Sequence, residues 1–264
     1  VERYKFPRSI SAALWVDFAS TFEDVATCQY KRVSDTCIEG YVQAKNVCGH
    51  GRYKLYFSLN TDQPFQLEEQ KETTACLTFG KKVRAVEVRI GLSALSSELA
   101  SWECARWEKM DFAELKSQTG NQWEKQLSAI DVKGGKKDDK VIFYTSLYRA
   151  YLSPADVSSP DGAYLGTDGK VYISEDFRYY SNWSLWDTFR TKFPLLVLTE
   201  PARMRDMATS LIHLYATGKK DWSTGFESTP TVRTEHAVIL LLDAYRKGIT
   251  TLDFRKGYAG MKEE

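Results

Sequence analysis

The sequence has 264 residues, 43% of them hydrophobic and 27% charged, with a formal net charge of +1. That is the make-up of a globular chain forming one large domain or two small ones. The near-neutral charge and scattered Lys and Arg leave no footprint for nucleic acid or an anionic membrane, and no apolar run nears the ~18–20 residues of a membrane-spanning helix.

The chain opens "VERYKFP", with neither an initiator Met nor a signal peptide, as if already inside a strand. This start predicts a processed or partial chain. From residue 1 to about 92 the apolar residues alternate. "YKLYFSLN" sets Tyr53, Leu55, Phe57 and Leu59 on one face and Lys54 and Ser58 on the other. "VEVRIGL" sets Val86, Val88, Ile90 and Leu92 against Glu87 and Arg89. Period two predicts half-buried antiparallel strands, with turns at "GHG" (49–51) and "TDQP" (61–64). Five cysteines (Cys28, Cys37, Cys48, Cys76 and Cys104) lack metal-finger spacing, which leaves buried thiols and one or two disulfides both open.

From about 94 the period becomes helical. Phe112, Leu115, Trp123, Leu127 and Ile130 fall near one stripe, with a break expected at Gly120. "KGGKKDD" (133–139) reads as a polar hinge, and Phe143, Leu147, Ala150 and Tyr151 as a second stripe ending before Pro154. A Gly- and Asp-rich loop is expected over 158–170. Ser184 caps the next predicted helix, Pro201 starts another with Met204, Met207, Leu211 and Leu214 inward, and a third ends before Gly248. A short last helix starts near Asp253.

Four places carry chemistry. Nine aromatics lie between Tyr164 and Phe193, among them Trp186, which is followed by Asp187 in the first turn after Ser184. "SLWD" fits a capping box, so a capped helix start and a ligand grip are both open there. Glu227, in "GFEST" beside Trp222 and Phe226, is either a solvated loop carboxylate or an acid whose pKa burial raises. Glu235 and His236 at the next helix start are capping groups or a polar pocket wall. His50 in "CGHG" is a turn residue, or it reaches into a cleft between domains. GxSxG, P-loop, dinucleotide and HExxH signatures are absent.

Taken in order, "FYTSLYRAYLSP" (143–154), "DGAYLGTDGKVY" (161–172), "YYSNWSLWDTFRTKFPLL" (179–196), "EPARMRDMATSL" (200–211) and "HAVILLLDAYRKGI" (236–249) resemble glycoside hydrolase family 92, the calcium-dependent exo-acting α-mannosidases. "GYVQAKNVCGHGRYKLYFSLNTDQPF" (40–65) and "VEVRIGLS" (86–93) resemble the end of that family's β-sandwich. The resemblance implies an α+β multidomain chain. Residues 1–93 would be the C-terminal part of a β-sandwich, 94–138 a helical linker, and 139–264 the N-terminal portion of an incomplete (α/α)6 barrel.

It also implies an enzyme that removes terminal α-mannosides from glycans with inversion, using one Ca2+ on the sugar hydroxyls. Trp186 and Asp187 match the family's sugar-contacting pair, His50 its "CGHG" loop and Glu227 its general acid. Here "GFEST" replaces the family's "GNET" and lies one residue further from His236, so Ser228 is the other candidate for the acid's position. No segment like "GNDDxGQMSAW", which supplies the base and helps hold calcium, occurs in the chain. The resemblance therefore implies that the rest of the barrel is a necessary partner, and that the metal ligands and base lie elsewhere. These 264 residues would be inactive alone. The expected location is secreted, periplasmic or cell-surface. A mannosyl-phosphate hydrolase of the same fold and a non-catalytic mannoside-binding remnant are the alternatives.

Overall fold

A computed structural model describes residues 1–8, 11–21, 24–45, 52–68, 71–217 and 236–262. The chain divides into two compact units, Val1–Thr119 and Gly120–Glu264. The division falls inside the segment 94–138 that the sequence assigns to a linker.

The first unit contains two antiparallel sheets. Strands β1 (Glu2–Lys5), β3 (Val25–Arg32), β4 (Cys37–Lys45), β5 (Arg52–Thr61) and β8 (Ala85–Ser93) make one, in the order β1-β8-β5-β4-β3. Strands β2 (Ala13–Asp17), β6 (Phe65–Glu68) and β7 (Thr74–Phe79) make the other, in the order β2-β7-β6. The "TDQP" turn carries the chain from β5 in one sheet to β6 in the other. Ile38, Phe57, Leu59, Val86 and Val88 from the first sheet share one core with Phe65, Ala75, Leu77 and Phe79 from the second. Side chains from two inner faces meeting in one core define a sandwich. Each such buried Phe or Leu contributes roughly 1.5–3 kcal/mol.

The alternation holds at the centre and fails at two places. Ser58, on the face expected to be polar, is fully buried. Helix α1 (Ser97–Ala105) lies over it, and the Cys104 thiol donates to the Ser58 carbonyl at 3.2 Å. Gly91 permits this approach, since a Cβ there would stand 1.9 Å from the Ala100 carbonyl oxygen. Further along β8 the inward period runs past the core, leaving Ile90 and Leu92 50% and 53% exposed. Cys28, Cys37, Cys76 and Cys104 are buried. Cys48 lies outside the described residues.

Helix α2 (Phe112–Leu127) crosses from one unit to the next and runs through Gly120 without the expected break. An interior glycine costs a helix only about 1 kcal/mol, too little to stop it. In the second unit α3 (Lys137–Tyr151) follows Gly134 and Gly135, both at positive φ. The loop expected over 158–170 is in part a hairpin, β10 (Ala163–Leu165) with β11 (Val171–Ile173), beside the short pair β9 (Ala155–Asp156) and β12 (Tyr180–Ser181). Gly162 turns the chain into it at φ +85°, where a Cβ would meet the Ser174 carbonyl at 2.1 Å.

The helix expected from Ser184 is two helices, α4 (Leu185–Thr188) and α5 (Lys192–Thr199). Pro194 explains the break. Inside a continuous helix it would lack its N–H and press its ring on the carbonyl of Arg190, whereas in the first turn of α5 that N–H would be unpaired anyway. Helices α6 (Pro201–Thr217), α7 (His236–Arg246) and α8 (Phe254–Lys262) complete the unit. Met204, Met207, Leu211 and Leu214 of α6 are buried as expected, against Leu240 and Leu241 of α7 and Leu196 of α5. Gly248 ends α7 at φ +97°, and the Ile249 N–H closes back on the Ala244 carbonyl. Asp253 caps α8 by accepting from the Lys256 N–H at 3.0 Å. Val238, Ile239, Leu242 and Tyr245 leave one side of α7 apolar and exposed.

Candidate active site

Of the nine aromatics from Tyr164 to Phe193, six are buried: Tyr164, Phe177, Tyr179, Tyr180, Trp183 and Phe193. Tyr172 and Phe189 are half-buried. Tyr164 stacks on Tyr179 with centroids 4.1 Å apart and meets Phe177 edge-on, forming a small core of their own. Burial pushes the Tyr164 hydroxyl up to about 12. It therefore keeps its proton and shares a hydrogen bond with His213 Nδ1 at 3.0 Å, while burial pushes the His213 imidazole down. The pair is a packing arrangement, and the density of rings at 164–193 is mostly core.

The exception is Trp186, 54% exposed on α4. Helix α4 sets the rings of Trp186 and Phe189, three residues apart and so on neighbouring sides of one turn, against His236 at the start of α7. The centroid distances are 6.0 Å and 4.2 Å. His236 thus packs against both rings. Phe189 was not singled out from the sequence, although its three-residue spacing from Trp186 was the available signal.

Asp187 is also exposed. Ser184 is the N-cap of α4, but its hydroxyl caps no helix N–H. It donates to Asp187 Oδ2 at 2.7 Å, so the capping box expected from "SLWD" is replaced by a side-chain pair that holds the carboxylate still. Oδ1 has no partner among the described residues and is available to accept a ligand hydroxyl. A flat indole beside a fixed carboxylate is the chemistry that recognises a sugar: the ring covers the C–H face, and the oxygens take hydroxyl protons.

Glu227, Ser228, Glu235 and His50 lie outside the described residues; of the predicted set, Trp186 and His236 are in ring contact, and Asp187 follows Trp186 in the same turn. Among the described residues no group of three or more His, Cys, Asp or Glu side chains gathers as a metal site would. The described residues thus do not by themselves fit a calcium ion.

A sandwich followed by helices defines the fold class as α+β. The chain belongs to glycosyl hydrolase family 92: the model of that family's catalytic domain matches residues 99–264, more than half of the sequence. Among solved structures it is similar to the GH92 glycosyl hydrolase CcMan5, at 27% identity and a TM-score of 0.82. It is also similar to a GH92 α-mannosidase from Bacteroides thetaiotaomicron, at 26% identity and a TM-score of 0.87. A GH92 inverting mannosidase from the same organism, at 22% identity and a TM-score of 0.83, shares the fold. Each match covers 98% of this chain and 37% or 38% of the other, so the chain spans less than two-fifths of the length of these relatives. No curated protein matches it. The α+β fold class expected from the sequence, sandwich strands followed by helices of the family's barrel, is the one these structures share.

Proposed function

We propose that this chain is part of an exo-acting α-mannosidase that releases terminal mannose from glycans with inversion. The observation carrying the proposal is Trp186: alone among nine clustered aromatics it is exposed, and it stands beside a carboxylate held in place by Ser184. Membership of family 92 and likeness to mannosidases support the choice of sugar. In this reading Trp186 stacks on the terminal mannose and Asp187 accepts from its hydroxyls, with His50 at the pocket edge. Glu227 protonates the leaving oxygen while a second carboxylate activates water from the opposite face. That second carboxylate has no candidate here, and the reading takes it from the remainder of the barrel, together with the Ca2+ ligands. The exposed apolar side of α7 is where that remainder packs. Residues 1–93, 94–138 and 139–264 are our proposed domains, and a secreted, periplasmic or cell-surface location is part of the same reading. Among the described residues no helix is long and apolar enough to cross a membrane.

The test is hydrolysis of an α-mannobiose by the protein containing this chain, followed by proton NMR with and without a calcium chelator. The expected result is β-mannose as the first product, lost on chelation and restored by Ca2+. First appearance of α-mannose would contradict inversion, and mannose binding without hydrolysis would contradict the enzyme reading.

A further inference from the structure

Two cations in the second unit converge on the end of α3 without a carboxylate between them. Lys192 Nζ, at the first position of α5, donates to the Ser153 hydroxyl at 2.8 Å. Arg203, in the first turn of α6, donates from Nε to the Tyr180 hydroxyl at 3.2 Å and from Nη2 to the Tyr151 carbonyl at 3.4 Å. Both are half-buried, and neither forms an ion pair among the described residues. The carboxylates nearest Tyr180 have their own arginines. Asp156 takes Arg178 at 2.8 Å, and Asp206 takes Arg205 at 3.2 Å.

Helix ends make the imbalance worse. The carbonyl end of α3 supplies roughly half a negative charge, but the N-termini of α5 and α6, where the cations sit, each add roughly half a positive one. Burial, then the charge of Arg203, pulls Lys192 down to about 8. Two half-buried cations close enough for one to shift the other, with no counterion among the described residues, are a costly arrangement unless something else completes it.

We propose that Lys192, Arg203 and Ser153 form an oxyanion site that takes a phosphate group, free or as a phosphomonoester. Arg203 keeps Nη1 for it, Lys192 keeps two N–H donors, and Ser153 keeps its hydroxyl proton, so donors are present for three oxygens. The site stands whether or not the mannoside reading holds, since it uses none of Trp186, Asp187 or Glu227.

The test is thermal unfolding and calorimetric titration of the protein with inorganic phosphate, against sodium chloride at matched ionic strength. A hexose phosphate forms a second arm that separates free phosphate from an ester. The expected result is a saturable rise in Tm with phosphate and none with chloride. Lys192→Met should unfold at a higher temperature without phosphate and bind it about ten-fold more weakly or worse, as losing one charge-assisted hydrogen bond implies. Arg203→Lys keeps the charge but not the fork, and should weaken binding by a smaller factor. A wild-type protein that responds equally to phosphate and chloride, or a Lys192→Met protein that binds phosphate as tightly as wild type, would overturn the site.

Discussion

Trp183 and Trp186 lie three residues apart and should respond in opposite ways to truncation. Trp183 is 3% exposed and packs against Phe193 with centroids 5.9 Å apart, inside the core that holds Leu185 and Leu196. Its replacement by Ala leaves a cavity in close-packed surroundings, for which about 3–5 kcal/mol is the usual loss. A tryptophan buries ~150–250 Å² when fully covered, and Trp186 keeps about half of its surface in water. At ~25 cal/mol per Å² its covered part contributes about 3 kcal/mol at most, and less in practice because extended-chain areas are upper bounds and no cavity is left at a surface. Urea unfolding of each variant, paired with titration of a mannose analogue, separates the two. Trp183→Ala should lower the unfolding midpoint by well over the change seen in Trp186→Ala. Trp186→Ala should remain folded and lose affinity. If Trp186→Ala were as destabilised as Trp183→Ala, or kept wild-type affinity, the platform argument would fail.

Three further outcomes are expected, two from the geometry and one from the proposed role of Glu227. Gly162→Ala should cost about 3 kcal/mol or more in urea unfolding, combining positive-φ strain with a Cβ set 2.1 Å from the Ser174 carbonyl, and near-wild-type stability would show that the entry to the β10–β11 hairpin relaxes freely. Lys192 titrates near 8 when folded against 10.5 when unfolded, so its charge penalty is complete below pH 8 and is relieved as pH rises to 10.5. Full linkage would give about 3 kcal/mol, and solvent screening of a half-buried group reduces this to about 1–2 kcal/mol. The stability difference between Lys192→Met and wild type in phosphate-free buffer should shrink over that window, and a constant difference would refute the assignment. Glu227→Gln should depress turnover of mannobiose far more than of an activated aryl mannoside, whose leaving group needs no proton, and equal losses would remove Glu227 from the acid role.

The parts of the fold that one strand or helix dictates by itself were readable from the sequence. Alternation at Phe57, Leu59, Val86 and Val88 marks the sandwich core, and the period of Met204, Met207, Leu211 and Leu214 marks α6. What depends on a partner element was not. Ser58 reads as a solvent residue until α1 covers it, and Ile90 and Leu92 read as core although no side chain of the opposing sheet reaches that far along β8. Three-residue strands such as β10 and β11 carry too little period to stand out from a Gly-rich loop. Pro194 is a visible signal for the break between α4 and α5, and a cap at Ser184 says nothing about where the helix ends. At the site, the sequence proposed the Trp186–Asp187 pair through resemblance. Which of nine aromatics faces water was a matter of packing, and only the structure shows it. The Lys192–Arg203 pair is dispersed over two helices and had no sequence signal at all.

The proposed grip of Trp186 and Asp187 on a mannoside turns on the Asp187 carboxylate. Its most direct test is calorimetric titration of a mannose-like inhibitor into the protein containing this chain and into Asp187→Asn, with thermal unfolding as control. Ser184 donates to Oδ2, so the amide keeps the shape of the site while removing the charge-assisted hydrogen bonds to ligand hydroxyls. The account predicts a Tm close to wild type and affinity about ten-fold weaker or worse. Equal affinity at equal stability would mean that the exposed carboxylate beside Trp186 does not touch the sugar.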